Sequence, residues 1–151
     1  MSEPQSVSAR ELFSTIAPDD SLAFYDKQVL QPKAVVDFLG LSNRDVAKVA
    51  GVSPNSVRYD VGIPKDMQER LEQIATICNL VAHHFSGDAK KTALWFTTKN
   101  PLLGDIAPRD MIRFGRHDKL RRFVVSALAD ESRDEAMKRR MGVLLEAGAP
   151  A

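Results

Sequence analysis

A run of apolar residues at helical spacing in the middle of the chain is the feature that most constrains the fold. Between Pro64 and Phe85, apolar residues recur at alternating steps of four and three: Met67, Leu71, Ile74, Cys78, Val81 and Phe85. In an α-helix this spacing places all of them on one face. The sequence therefore predicts a long helix from about Pro64 to Phe85 with one buried face.

Helix start and stop signals divide the chain before this long helix into shorter helices. A serine with an acidic residue three positions later, as in Ser8–Glu11 and Ser42–Asp45, matches the capping box that begins many helices. Proline fits the first turn of a helix, and glycine commonly ends one. The predicted helices run over about residues 9–16, from Pro32 to Gly40, from Ser42 to Gly51, and from Ser53-Pro54 through Val57.

The same signals predict further helices after the long one. They are a helix containing Trp95 and Phe96 capped by Asp88, a short helix from Pro108 to Gly115, a helix over about Asp118–Ala129, and a last helix from Ser132, capped with Glu135, to about Ala147. No sustained alternation of apolar and polar residues is flanked by an Asn-Gly or Asp-Gly hairpin turn. The sequence therefore predicts an all-α fold.

Composition excludes several classes of protein. With 151 residues, of which 44% are apolar, the chain can build a core without a metal or a disulfide. Cys78 is the only cysteine, so neither an intramolecular disulfide nor a multi-cysteine zinc site can form, which suits a reducing cytoplasm. A formal net charge of +1 argues against nucleic-acid binding through bulk charge. We expect a cytoplasmic protein without a secretory signal or a membrane span.

The residue types that support catalysis are present but are not arranged for it. His83 and His84 are adjacent, so on a helix they point about 100° apart and cannot form the i, i+4 pair of a metal site. His117 has no clustered acid or thiol near it in sequence, and Cys78 falls on the apolar stripe of the long helix. No phosphate-binding glycine loop or nucleophile elbow occurs. We expect no enzymatic activity, no cofactor and no metal.

The stretch SNRDVAKVAGVSPNSVRYDVG, Ser42 to Gly62, fits a helix-turn-helix. Two helices that cross closely need a small residue at the crossing, and the tight turn needs a residue that tolerates positive φ. Ala47 and Gly51 meet these needs. The apolar residues that can pin both helices together are Val46, Val52 and Val57. An α-hairpin in an ordinary helical bundle would use the same alanine and glycine, so that alternative stays open.

The second helix of this motif would carry polar side chains suited to a DNA major groove. Asn can pair bidentately with adenine, Arg with guanine or phosphate, and Ser and Tyr with phosphate. The predicted DNA-contacting residues are Asn43, Arg44, Ser53, Asn55, Ser56, Arg58 and Tyr59. Because the local charge is weak, one copy would bind DNA poorly, and we expect a homodimer that reads two half-sites of an operator.

The second half of the chain contains TALWFTTKNPLLGDIAPRDMIRFGRHDKLRRFV, and with the motif in front of it the sequence resembles the Xre/MbcA/ParS-type antitoxins. Their C-terminal domain typically has an aromatic-containing helix, an Asn-Pro-x-Leu-Gly pattern, a short helix opened by proline and closed by glycine, and an apolar helix. The matching residues here are Trp95, Phe96, Asn100, Pro101, Leu103, Gly104, Pro108, Met111, Ile112, Gly115, Leu120 and Val124. The resemblance covers roughly residues 32–128.

This resemblance implies a specific function. Such antitoxins are encoded beside RES-domain toxins, which look like relatives of ADP-ribosyltransferases and kill by consuming NAD. The antitoxin covers the active-site entrance of the toxin and represses their shared promoter. The residues that would face the toxin in this chain are Asn100, Leu102, Leu103, Gly104, Met111, Arg113, Phe114 and Arg116. Basic residues among them would complement a pocket built for an anionic dinucleotide.

The sequence departs from the family pattern in two places. Ala107 stands where the family usually has Ser or Thr, so the short helix from Pro108 lacks a side-chain cap. The chain also continues past the usual end of the family, with a helix-forming segment from Ser132 to Ala147 that could extend the toxin interface, form a dimer contact or pack on the body.

The expected organisation has three parts. They are an N-terminal segment with a short helix (residues 1–31), a helix-turn-helix region (residues 32–63), and a helical toxin-binding and dimerisation domain (residues 64–151) whose first helix, about residues 64–86, links the two. The main alternative function is a stand-alone dimeric repressor in which Asn-Pro-Leu-Leu-Gly is an ordinary turn between helices. An enzyme using His83 or Cys78 is the third reading.

Overall fold

The computed structural model describes the backbone of residues 20–148 and the side chains of residues 20–141. The predicted helix over residues 9–16 lies outside this part. The described chain is mostly helical, as the sequence predicts, with one small hairpin. Its elements are β1 (Tyr25–Asp26), β2 (Val29–Leu30), α1 (Pro32–Leu39), α2 (Asn43–Ala50), α3 (Lys65–His84), α4 (Ala89–Thr97), α5 (Pro108–Arg113) and α6 (His117–Gly148), with 3-10 turns at Pro54–Ser56 and Pro101–Leu103.

The long helix α3 lies at the centre of the fold and confirms the prediction made from its spacing. The stripe residues on α3 are almost fully buried: Met67, Leu71, Ile74, Cys78 and Val81. Around this face pack α1, α2, α4 and α6. The buried hydrophobic cluster is continuous from Phe24 to Val124, so the proposed DNA-binding and toxin-binding regions share one core.

The helix caps read from the sequence are present in the structure. Ser42 and Asp45 form a reciprocal capping box at α2, with both bonds at 3.1 Å. The Asp88 carboxylate accepts the N–H of Lys91 at the start of α4. Gly40 ends α1 with φ of 64°, a left-handed conformation that favours glycine.

The predicted α-helix from Ser53 through Val57 is wrong. The chain forms only a 3-10 turn at Pro54–Ser56, and Val57 is extended with φ of −71° and ψ of 120°. An extended segment places residues two apart on the same side, and Val57 and Tyr59 both pack against the hydrophobic cluster. In a helix these two side chains would point about 200° apart, so burial of both favours the extended form over local helix propensity.

The predicted break before Ser132 is also wrong, because α6 runs without interruption from His117 to Gly148. The region around Ser132, ADESRDE, contains no glycine or proline to stop the preceding helix. A Ser-x-x-Glu pattern therefore lies inside a helix and does not begin one.

The hairpin β1–β2 was not predicted, since its turn lacks the usual Asn-Gly or Asp-Gly pair. Lys27 and Gln28 adopt positive φ of 50° and 68°, as a two-residue hairpin turn requires. The Asp20 carboxylate accepts the N–H groups of Phe24 and Tyr25, each at 2.8 Å. This loop directs the Phe24 ring into the core, where it is 1% exposed.

Candidate functional site

The turn from Asn100 to Ile106 is held by its own hydrogen bonds. The Asn100 side chain accepts the N–H of Leu102 at 2.9 Å, and its backbone N–H donates to the carbonyl of Ile106 at 3.2 Å. Gly104 takes φ of 77°, which allows the chain to reverse. Leu103 packs against the core, whereas Leu102 is 80% exposed. The turn therefore presents one large apolar side chain to solvent on an ordered backbone.

The short helix α5 divides its apolar residues between the core and the surface. Pro108 opens it, and Ala107 provides no side-chain cap, as expected from the sequence. Met111 and Ile112 are buried at 2% and 0% exposure, while Phe114 at the end of the helix is 52% exposed. The expectation that Met111 faces a toxin is therefore wrong, because spacing i, i+3, i+4 from Pro108 puts it on the core side. Phe114 remains available.

Arg113 pairs with one carboxylate on its own helix α5 and with one on α2, which joins the two helices. Its Nη1 donates to Asp110 Oδ1 at 3.0 Å, and its Nε lies 3.3 Å from Asp45 Oδ2. Partial burial of Asp45 raises the pKa of its carboxyl group, but the bonds from Ser42 and the charge of Arg113 outweigh this effect, so the pKa is lowered overall. Arg113 was expected to face the toxin. It is instead engaged within the chain and stays partly accessible.

Phe114 lies beneath a lysine of α2, so the surface around it spans two helices. The Lys48 ammonium is 5.8 Å from the centre of the Phe114 ring. Arg44 lies one helical turn before Lys48 on α2, and Arg116 follows Phe114 by two residues; both arginines are exposed. We name these four residues, Arg44, Lys48, Phe114 and Arg116, the basic–aromatic surface.

The residues predicted to contact DNA do not lie on one helix. Asn43 and Arg44 are exposed on the first turn of α2, and Asn55 and Arg58 are exposed on the segment after it. The two serines of the predicted set, Ser53 and Ser56, bond to each other through their hydroxyl groups at 2.8 Å. No recognition helix forms among these described residues, and the accessible polar groups are spread along a turn.

Tyr59 was expected to point outwards, and this is wrong. Its ring is half-buried and has the Lys33 ammonium 5.4 Å from its centre. Its hydroxyl is buried with no hydrogen-bond partner among the described residues. Burial raises the pKa of this hydroxyl. Tyr59 therefore serves as a packing residue that anchors the extended segment.

The histidines and the cysteine occupy structural positions. Cys78 is fully buried, and burial raises the pKa of its thiol far above its usual value, so it is not a nucleophile. His84 Nδ1 lies 2.8 Å from Glu131 Oε2 and joins α3 to α6. His117 is 3% exposed and has Arg70 Nη1 2.8 Å from its Nε2. Its pKa is lowered, first by burial and then by the charge of Arg70.

The other chemical features of the fold are few. Among the residues that the structure describes, no group of three or more His, Cys, Asp or Glu side chains is placed to hold a metal ion. No helix in that part is both long and apolar enough to cross a membrane. An open cleft of about 390 Å³ between α2 and α3 is lined by Ala50, Gly51, Asp66, Glu69, Arg70 and Gln73. It lacks the apolar walls typical of small-molecule pockets.

Sequence reasoning missed the contacts that assemble the surface. The pairs Asp45–Arg113 and Lys48–Phe114 join residues more than sixty positions apart. Local spacing carries no signal for such pairs, because it reports only neighbours along one element.

Comparison with known proteins gives no match among family models, curated proteins or solved structures. The functional assignment therefore depends on the residues and contacts described above.

Proposed function

We propose that the chain is an antitoxin that binds a RES-domain toxin, covers its active-site entrance, and represses the operon that encodes both. The resemblance of residues 95–124 to the Xre/MbcA/ParS-type antitoxins supplies the class of partner. The single observation that supports it most is the exposure of Leu102 and Phe114 on the ordered segment from Asn100 to Gly115.

Leu102 and Phe114 have the properties of interface anchors. Both keep large apolar side chains in water, at 80% and 52% exposure, while their neighbours Leu103 and Ile112 pack inwards. A few large side chains supply most of the binding energy in protein interfaces, and aromatic ones are common among them. A backbone that is already ordered loses little entropy when a partner binds.

The charge near Phe114 fits an acidic partner surface. The Lys48 ammonium lies 5.8 Å from the centre of the ring, the exposed Arg44 and Arg116 are near Lys48 and Phe114 in sequence, and Arg113 pairs with Asp45 and Asp110. Such a basic surface would bind acidic side chains beside the active-site entrance of the toxin. Steering by complementary charge would speed the encounter and make it sensitive to salt.

Co-expression with the protein encoded by the adjacent gene tests this function. The wild-type chain should restore growth that the neighbouring protein inhibits, and the two should co-purify. The double variant Leu102→Asp with Phe114→Asp should do neither. Val61→Asp is a matched control, because Val61 is 86% exposed on a different segment. Failure of the wild-type chain to restore growth or to co-purify would contradict the antitoxin function.

For the repressor activity, we propose that exposed side chains of α2 and of the following turn contact operator DNA. The accessible candidates are Asn43, Arg44, Asn55 and Arg58, which can reach phosphates and base edges without a recognition helix. Arg58→Ala should abolish a sequence-specific gel shift with promoter DNA, whereas Lys90→Ala, an exposed control on α4, should leave it unchanged. A stand-alone repressor would bind the DNA but would not neutralise any neighbouring protein.

A further inference from the structure

The C-terminal part of α6 leaves the body of the protein and exposes an apolar stripe. Every described side chain from Ser132 to Met141 is exposed, including Met137 at 61% and Met141 at 55%. Among the described side chains of α6, the last that pairs with another element is Glu131, which bonds to His84. The helical backbone continues to Gly148, so the segment after Glu131 is about 25 Å long.

The two methionines lie at the edge of the face of α6 that packs on the core. Leu120 and Val124 are buried and mark the face of α6 that packs on the core. At 100° per residue, Met137 lies about 140° around the helix from Val124. Met141 lies at the same angle around α6 as Phe123, which packs against the core, so the methionines lie at the edge of the core face and are exposed because the helix has left the body.

The charges along this segment are arranged in two blocks. Residues 130–135, the acidic block, hold four acids, Asp130, Glu131, Asp134 and Glu135, and one base, Arg133, whereas residues 138–140, the basic block, are Lys138, Arg139 and Arg140. Exposed pairs within the helix join Arg133 to Asp130 and Arg139 to Glu135. Two copies of the helix placed antiparallel, crossing near Met137, would put the acidic block of each against the basic block of the other. A parallel, in-register pair would place acid against acid and base against base, which is unfavourable.

We propose that the exposed part of α6, residues 130–141, is a self-complementary interface through which two copies of the chain pair antiparallel. The exposed methionines pack between the helices, and the charge blocks fix the orientation. Such an interface is isologous, because each copy contributes the same surface and the contacts repeat about a two-fold axis. This pairing is independent of the toxin and leaves Leu102 and Phe114 unoccupied.

Sedimentation equilibrium of the full chain tests the interface. The wild-type chain should be dimeric at about 100 µM. Met137→Glu with Met141→Glu should be monomeric, with helix content by circular dichroism unchanged. Val125→Glu is the matched control, since Val125 is also an exposed apolar residue of α6 but lies about 120° from Met137 around the helix. A monomeric wild-type chain, or a methionine double variant that dimerises as wild type does, would overturn the proposal.

Reversing the charge of one block at a time tests the antiparallel orientation of the two helices. Asp134→Lys with Glu135→Lys makes both blocks basic, and Lys138→Glu with Arg140→Glu makes both blocks acidic. Each variant alone should dimerise at least about tenfold more weakly than wild type, and an equimolar mixture should form a heterodimer. A mixture that stays monomeric would contradict the charge-block contact, as would either variant alone pairing with wild-type strength.

Discussion

Residues 53–59 and residues 100–115 both begin with a proline-led turn between helices, but they hold their side chains in different ways. In the first segment Val57 and Tyr59 turn towards the core, and the exposed groups are polar or charged. In the second segment Leu102 and Phe114 turn outwards on an ordered backbone. Exposed polar groups are solvated by water, whereas large exposed apolar side chains such as Leu102 and Phe114 are groups that a protein partner would bury. This difference favours a protein partner at the second segment.

The difference between packed and exposed side chains is tested most strongly at α5, where Ile112 is buried and Phe114 is exposed. Ile112→Ala should lower the free energy of unfolding by about 2–5 kcal/mol, because it leaves a cavity in the core. Phe114→Ala should change it by less than about 1 kcal/mol, since most of that ring is in water. Urea denaturation followed by circular dichroism measures both. Equal losses would show that Phe114 packs as a core residue.

The ion pair between α2 and α5 depends on Asp45. Asp45→Ala removes the capping box of α2 and a carboxylate partner of Arg113, so the free energy of unfolding should fall by about 1–2 kcal/mol. The control is Asp37→Ala on α1, whose carboxylate forms only an exposed pair with Lys33 and should cost less than about 1 kcal/mol. Urea denaturation of both variants at neutral pH measures the two changes in the free energy of unfolding. Equal losses of unfolding free energy in the two variants would mean that Asp45 does not join α2 to α5.

His117, which begins α6 directly after the second segment, makes stability depend on pH. Its pKa is lowered in the folded state, so the unfolded chain binds the proton more tightly. The stabilising contribution of neutral His117 should be complete above the ordinary pKa of 6.5 and should be lost as the pH falls below that value. Urea denaturation of wild type and His117→Gln between pH 7.5 and 5 tests this, with the variant showing the smaller pH dependence. Identical pH profiles would contradict it.

The smallest expected effect is at Tyr59 in the first segment. Its hydroxyl is buried without a hydrogen-bond partner among the described residues, so Tyr59→Phe should leave the free energy of unfolding unchanged or raise it by up to about 1 kcal/mol. The Lys33 ammonium can still approach the phenyl ring. Thermal unfolding measures the change. A fall in stability would show that the hydroxyl is bonded after all.

The elements that the sequence predicts correctly are those specified by local patterns. The stripe of α3, the capping box of α2 and the proline start of α5 need only residues within a few positions of each other. The extended backbone at Val57 and Tyr59 depends on burial against residues distant in sequence. In α6 the helix continues through Ser132, which resembles an N-cap in sequence but lies inside the helix. The sequence also missed the β1–β2 hairpin, whose turn lacks the usual Asn-Gly or Asp-Gly pair.

The candidate site was predictable only in part. Leu102, Phe114 and Arg116 are accessible, as expected for partner-facing residues. The burial of Met111 and the ion pair of Arg113 with Asp45 depend on how α5 packs against the core and α2. A single sequence does not specify this packing. The cation of Lys48 over Phe114 joins two helices whose contact is tertiary, so no local pattern could indicate it.

The central claim is that Leu102 and Phe114 anchor a protein partner. Isothermal titration of the chain with the purified product of the adjacent gene tests it most directly. The wild-type chain should bind with submicromolar affinity, and Leu102→Asp with Phe114→Asp should weaken binding by at least about 100-fold, which corresponds to about 2.7 kcal/mol. Equal affinity of the double variant and the wild-type chain would contradict the claim.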